Sequence, residues 1–162
     1  MAEALDALGD DYAVYGFSGY GRDQVDFFVA KEFTERYDER VQGRIAAIKP
    51  HRSTRMGPAI RHAIRKLEGQ EARMKTLLLL SDGYPQDYDY GKDRQSKEYG
   101  IQVTMMALHE ARLKGIQTFC ITVDPAGHDY LRAMCPDHKY LVIEDIAALP
   151  KELPKIYRGL TT

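Results

Sequence analysis

Apolar positions along this chain change their spacing several times, and each change marks an element. "YAVYGFS" (12–18) alternates and is rich in β formers, which predicts a strand. "QVDFFVAK" (24–31) predicts a second, and the "GYGRD" between them suits a hairpin turn. "ERVQGRIAAI" then places Val41, Ile45 and Ile48 at helical intervals. The clearest helix lies in "HRSTRMGPAIRHAIRKLEG": Pro58 fits its first turn, Ile60, Ala63, Ile64 and Leu67 form one stripe, and Gly69 fits its stop. Residues 1–8, "MAEALDAL", read as the tail of a helix stopped by Gly9.

The second half changes period regularly. "KTLLLL" reads as a strand buried on both faces and "GIQTFCITV" (115–123) as another. Between them, "GIQVTMMALHEARLKG" predicts a helix with Ile101, Met105 and Leu108 on one side. A short helix around 127–134 leads to a last strand, "KYLVIED" (139–145). The final helix presents Leu153, Ile156, Tyr157 and Leu160, and its prolines, Pro150 and Pro154, predict staggered starts rather than one rod. Strand, helix, strand, helix, strand, helix is the order of an α/β fold: doubly wound, with a mostly parallel sheet and helices on both faces.

Composition narrows the function classes. At 162 residues the chain is expected to form a single domain over 1–162. Its net charge of −1 offers no excess of basic residues for nucleic acid or an anionic membrane. No apolar run is long enough for membrane insertion. Cys120 and Cys135 form no CxxC pair and fit no zinc spacing, which points to a reducing cytoplasm. Tyr84, Tyr88, Tyr90 and Tyr99 cluster after Asp82, either packing a loop with its own rings or offering a contact surface.

Candidate chemistry gathers in two places. In open α/β sheets, ligands bind beyond the carboxyl ends of the strands, and Asp82 stands at such an end with Ser81 beside it and Gly83 after it. A carboxylate there serves a hard cation or acid catalysis, or simply caps a turn. The second place is "HRSTRMG", where Thr54 caps the following helix or offers its hydroxyl to a metal or a metal-bound water, flanked by Arg52 and Arg55.

Other groups have plainer readings. His51 and His62 lack further ligands at a metal-site spacing, and His62 belongs with Arg61, Arg65 and Lys66 on a basic helix face. His109-Glu110 lacks the second histidine of a zinc helix. His128 and Asp129 have no nucleophile beside them, and Asp124 and Pro125 suit a turn. Asp87, Asp89 and Asp93 do not match a calcium loop and read as a solvated loop.

The segments "STRMGPAIRHA", "LLLLSDGYPQDYDY", "YGIQVTMMALHEARLKGI", "TVDPAGHDYLRAMC" and "IEDIAALPKELPKIYRGL" together resemble a von Willebrand factor A (VWA) domain, over essentially the whole chain. More narrowly they resemble the C-terminal domain of NorD/CbbO-type proteins. That resemblance implies partnership with a MoxR-class AAA+ ATPase and activation of a client enzyme complex, nitric oxide reductase or Rubisco. It also implies a metal-ion-dependent adhesion site (MIDAS) holding Mg²⁺ (or Mn²⁺), completed by a carboxylate of the partner. Thr54 matches the family's second-loop threonine and Asp82 its third-loop aspartate, with Ser81 adjacent. Tyr84, Tyr88, Arg52 and Arg55 would then rim the partner surface.

The family's Asp-x-Ser-x-Ser loop has no match here; Ser18 in "GFSGYG" falls on the family's second strand and has Gly16 where the aspartate is needed. The chain is therefore expected to be truncated, starting within the helix after a missing, central first strand. Two exposed strand edges are costly, so three outcomes are expected: direct closure of the gap, filling by another copy, or an intertwined homodimer, with symmetric association preferred. The leading function is a non-enzymatic adaptor. The alternative is a small metal-dependent hydrolase or phosphotransferase using Asp82, for which no phosphate-binding glycine loop is found.

Overall fold

The computed structural model describes residues 2–49, 51–90 and 97–161. Helix α1 (Ala2–Leu8) ends at Gly9, whose φ of +76° makes glycine the favoured residue at that stop. Strands β1 (Val14–Gly19) and β2 (Val25–Lys31) form the expected antiparallel hairpin. Helix α2 (Glu39–Ala46) is capped by the Asp38 carboxylate on the Val41 amide, and of its apolar positions only Val41 is buried. Helix α3 (Met56–Glu68) buries Ile60, Ala63 and Ile64 as its stripe predicts. Gly69 closes it in an ordinary right-handed conformation, so glycine is not required there.

Strand β3 (Lys75–Ser81), helix α4 (Glu98–Leu113), strand β4 (Ile116–Thr122), helix α5 (Gly127–Met134), strand β5 (Tyr140–Val142) and helix α6 (Leu149–Thr161) follow in the predicted alternation. The three strands pair in parallel in the order β3-β4-β5. Both faces of this sheet are covered. On one, Ile60 and Ile64 of α3, Leu108 of α4 and Met134 of α5 meet Leu79 and Cys120. On the other, Leu153 and Ile156 of α6 meet Ile121 and Ile143.

Three details depart from the sequence expectations. Helix α6 is one helix with Pro154 inside it, not two staggered starts. Pro154 lies inside the helix and removes one backbone bond, while Leu153, Ile156 and Leu160 keep a continuous apolar face. The buried face of α4 is narrower than expected: Thr104, Ala107, Leu108 and Ala111 are buried, whereas Met105 is half-buried. Small residues there let α4 lie close to α3, where Gly57 leaves room for Val103.

The third departure concerns β3, which is not buried on both faces: Leu79 is buried but Leu80 is 37% exposed. The cause is the sheet boundary. Among the described residues, β1 forms a ladder only with β2, apart from a single bridge at Gly19, and β3 pairs only with β4. Both free edges border a cavity of about 550 Å³ lined by Val14, Tyr15 and Phe17 of β1 and by residues 75–80 of β3. Direct closure of the gap by β1–β3 pairing, one of the three expected outcomes, therefore does not occur.

Candidate functional site

The carboxyl ends of β3 and β4 lie in register, with Ser81 opposite Thr122, so the segments that follow emerge side by side. Asp82 is exposed at this end. The Ser81 hydroxyl is turned back on its own loop, donating to the Gly83 carbonyl at 2.8 Å and accepting from the Gly83 amide at 3.3 Å. Beneath Asp82, Tyr130 is buried and its hydroxyl lies 3.0 Å from the Thr122 hydroxyl. Burial pushes the Tyr130 hydroxyl up to about 12; the Thr122 bond pulls the other way, and the charges of Asp124 and Asp82 add to the rise. Tyr130 therefore stays protonated near neutrality.

Thr54 reaches the same end from the loop before α3. Its carbonyl accepts from the Gln86 amide at 3.1 Å, which ties the Thr54 loop to the segment after Asp82. Its side chain does not cap α3: the N-cap is Arg55, which makes no side-chain capping bond. The Thr54 hydroxyl is half-buried and has no hydrogen-bond partner among the described residues. The same loop is joined to β1 through paired Gly19 and Ser53 backbone bonds, 2.9 Å each, and through the Arg52 amide, which donates to the buried Ser18 hydroxyl at 3.0 Å.

A buried ion cluster holds these segments together. The Asp87 side chain has no solvent exposure, and the Arg55 side chain is 9% exposed. Asp87 accepts from Arg55 Nη1 at 2.9 Å, from the Gly21 amide at 3.0 and 3.1 Å, and from the Tyr88 amide at 2.7 Å. Asp89 takes a second bond from Arg55 Nη1 and the Arg22 amide at 2.7 Å. Burial alone would raise the Asp89 carboxyl; the bonds from Arg55 and the Arg22 amide hold it below its ordinary value. Two expectations are corrected here. Arg55 is not on a partner surface, because both its acidic neighbours and the Tyr90 ring at 4.7 Å enclose it. Asp87 is buried rather than solvated; Asp89 stays exposed, as a solvated loop predicts, though tied to Arg55, and Asp93, the third acid of that stretch, lies outside the described residues.

The other rim residues stand where a partner could touch them. Tyr88 is exposed and its ring lies 4.7 Å from that of Tyr20; Arg52 is exposed and its guanidinium sits 5.4 Å from the Tyr20 ring. Tyr84 is half-buried against Tyr130, with Lys97 Nζ 4.3 Å from its ring centre.

The remaining candidates do not converge on this end. His51 packs on Phe28 and His62 on Phe27, and adjacent strand residues face opposite ways, so the hairpin separates the two imidazoles. Of the expected basic face, Arg61 is forked onto Glu110 by two 2.8 Å bonds and Lys66 is paired with Glu32. His128 rests against Tyr140, and Asp124 caps the Ala126 amide at 3.0 Å. Among the described residues, no three acidic, histidine or cysteine side chains converge as a metal site. A hydroxyl and a carboxylate suit the chemistry of Mg²⁺ or Mn²⁺, but octahedral coordination requires more donors than Thr54 and Asp82.

Sequence comparison places this arrangement among known proteins. A family model for the von Willebrand factor type A domain matches residues 1–155. The chain belongs to the von Willebrand factor type A family. An uncharacterized protein of Pseudomonas aeruginosa is 45% identical to this VWA domain over 160 residues, 99% of this chain and 26% of that protein. Protein NorD of Stutzerimonas stutzeri is 43% identical over 145 residues, 90% of this chain and 23% of NorD. Protein NorD of Brucella melitensis is 39% identical over 160 residues, 99% of this chain and 25% of that protein. The chain thus spans about a quarter of the length of the curated relatives it matches. No solved structure matches it.

Proposed function

We propose that this VWA domain is a non-enzymatic adaptor of a NorD-type activator, recruiting a MoxR-class AAA+ ATPase and a client enzyme complex, nitric oxide reductase or Rubisco, in the cytoplasm. The observation that carries the reading is the Thr54 carbonyl bond to the Gln86 amide, which ties the loop bearing Thr54 to the segment after Asp82 at the sheet's carboxyl end. Thr54 and Asp82 would supply two of the oxygen ligands of a Mg²⁺ or Mn²⁺ ion, which would leave a position for a partner carboxylate. The protein's part is to hold those two donors on separate, cross-linked loops.

Titration calorimetry tests this with the first strand of a NorD relative fused upstream. Mg²⁺ binding lost in both Thr54→Ala and Asp82→Ala is expected; a fused protein that ignores Mg²⁺ overturns the cation-bridged reading. Turnover of a generic phosphatase or esterase substrate, abolished by Asp82→Ala, would instead establish the hydrolase alternative.

The free edges of β1 and β3 favour a second statement: two copies associate through the gap between them. Light scattering on the purified chain is expected to give twice the monomer mass, and a monomer at all concentrations overturns it.

A further inference from the structure

Most cations fixed in this structure are fixed by carboxylates: Arg44 by Glu35, Arg55 by Asp87 and Asp89, Arg61 by Glu110, Lys66 by Glu32 and Lys114 by Glu68. Two cations at the sheet's carboxyl end are held differently. Arg52 is placed by the Gln24 side-chain oxygen at 3.2 Å and by the Tyr20 ring, and Lys97 by the Tyr84 ring. Neither has a carboxylate within ion-pair distance among the described residues. Each is exposed, and each charge is positioned by a tyrosine ring rather than by a carboxylate of the described residues.

Both cation–tyrosine pairs bear on one short loop. Tyr84 carries Lys97 directly, and Tyr88, four residues on, stacks against the Tyr20 that carries Arg52. That loop is rigid where it counts. Asp87 is locked between Tyr84 and Tyr88, and the Tyr88 ring fills the space over Gly21, whose φ of +75° and missing Cβ permit the approach. Exposed tyrosines on a preset backbone give contact area at little entropic cost.

We propose that Arg52 and Lys97, each seated on its tyrosine, form a metal-independent clamp for an acidic peptide segment of a partner protein. The clamp rests on the reading that this end of the sheet faces the partner, but it uses no metal ligand. Its occupant is a protein segment rather than nucleic acid, because a chain of net charge −1 carries no excess of cations with which to track a phosphate backbone.

The test is fluorescence anisotropy of the purified 162-residue chain with a fluorescein-labelled peptide of alternating Glu and Tyr, in EDTA. A matched Gln/Tyr peptide and a single-stranded DNA oligonucleotide serve as comparisons. The acidic peptide is expected to bind best, with Arg52→Gln and Lys97→Gln each weakening it about fivefold and Arg65→Gln, on the exposed side of α3, leaving it unchanged. No binding in EDTA, equal loss in Arg65→Gln, or tighter binding of the oligonucleotide overturns the clamp. Binding that needs Mg²⁺ and ignores Arg52 and Lys97 also overturns it, while leaving the metal-bridged reading intact. Conversely, EDTA-resistant binding that depends on both cations supports the clamp even where the fused protein ignores Mg²⁺.

Discussion

Replacing Asp87 by asparagine isolates the role of the buried cluster. The substitution keeps shape and one acceptor oxygen, but every group around the carboxylate is a donor: Arg55 Nη1 and the amides of Gly21 and Tyr88. The new NH₂ group therefore has no acceptor among these neighbours, at a position with no solvent exposure. An unsatisfied buried donor costs about 1–3 kcal/mol, and removing one partner of a buried ion pair costs about 3–5 kcal/mol in all. Asp89 still holds Arg55, which brings the expected loss to the lower end, about 3 kcal/mol. The control is Asp89→Asn: that side chain is 28% exposed, so its screened contribution is about 1 kcal/mol or less. Urea unfolding followed by circular dichroism measures both, and a cycle with Arg55→Met is expected to give a coupling of about 2 kcal/mol with Asp87. A loss below about 1 kcal/mol for Asp87→Asn, or one equal to that of Asp89→Asn, refutes the reasoning.

Three further outcomes follow from the geometry. Alanine at Gly100 places a methyl group against the Pro85 carbonyl oxygen and is expected to cost about 1–3 kcal/mol in a urea melt; a neutral result would mean that the loop after Asp82 yields easily. Leu108→Ala removes a side chain with no solvent exposure and is expected to cost about 2–5 kcal/mol, whereas Leu80→Ala, at the open edge, costs under about 1 kcal/mol in the same assay. Acid should unfold the chain through its paired carboxylates. The Arg61 bonds, working against burial, hold Glu110 below its ordinary value of 4.5, and Glu32, which burial would raise, is lowered by Lys66 and Tyr15. Depressed native values mean that this stability is present above pH 4.5 and is lost as pH falls through the lower native values. The urea midpoint of Arg61→Gln is therefore expected to depend less on pH between about 5 and about 3; an unchanged dependence refutes the assignment.

Much of the fold was legible because its signals are local. The β1–β2 hairpin, α3 and the strand–helix alternation after residue 75 each declare themselves within ten or twenty residues. What was not legible depends on groups far away in the chain. Four consecutive leucines look the same whether a strand has two neighbours or one, so the open edge of β3 left no trace in "KTLLLL". Asp87 sits in a stretch whose polarity reads as solvated, yet its partners Arg55 and Gly21 lie 32 and 66 residues away. The one available signal was a lone arginine, Arg55, abutting the apolar start of α3, since a charge at such a place requires a counter-charge. Thr54 and Asp82 were visible as residues, and only the structure relates their loops through Gln86.

The break between the two sheets divides the molecule's cooperativity. Ladder hydrogen bonds transmit order from strand to strand, and none runs between β1 and β3. The hairpin is instead fastened at one end by Ser18, Ser53 and the Asp87 cluster, and along its flank by Phe27 on His62 and Glu32 on Lys66. Such units, each held within itself more strongly than to its neighbour, open separately. Native-state hydrogen exchange should thus find two populations: hairpin amides that open in one low-energy event, and β3–β4 amides protected up to global unfolding. On that reading the hairpin opens as a small flap while the three-stranded sheet stays paired.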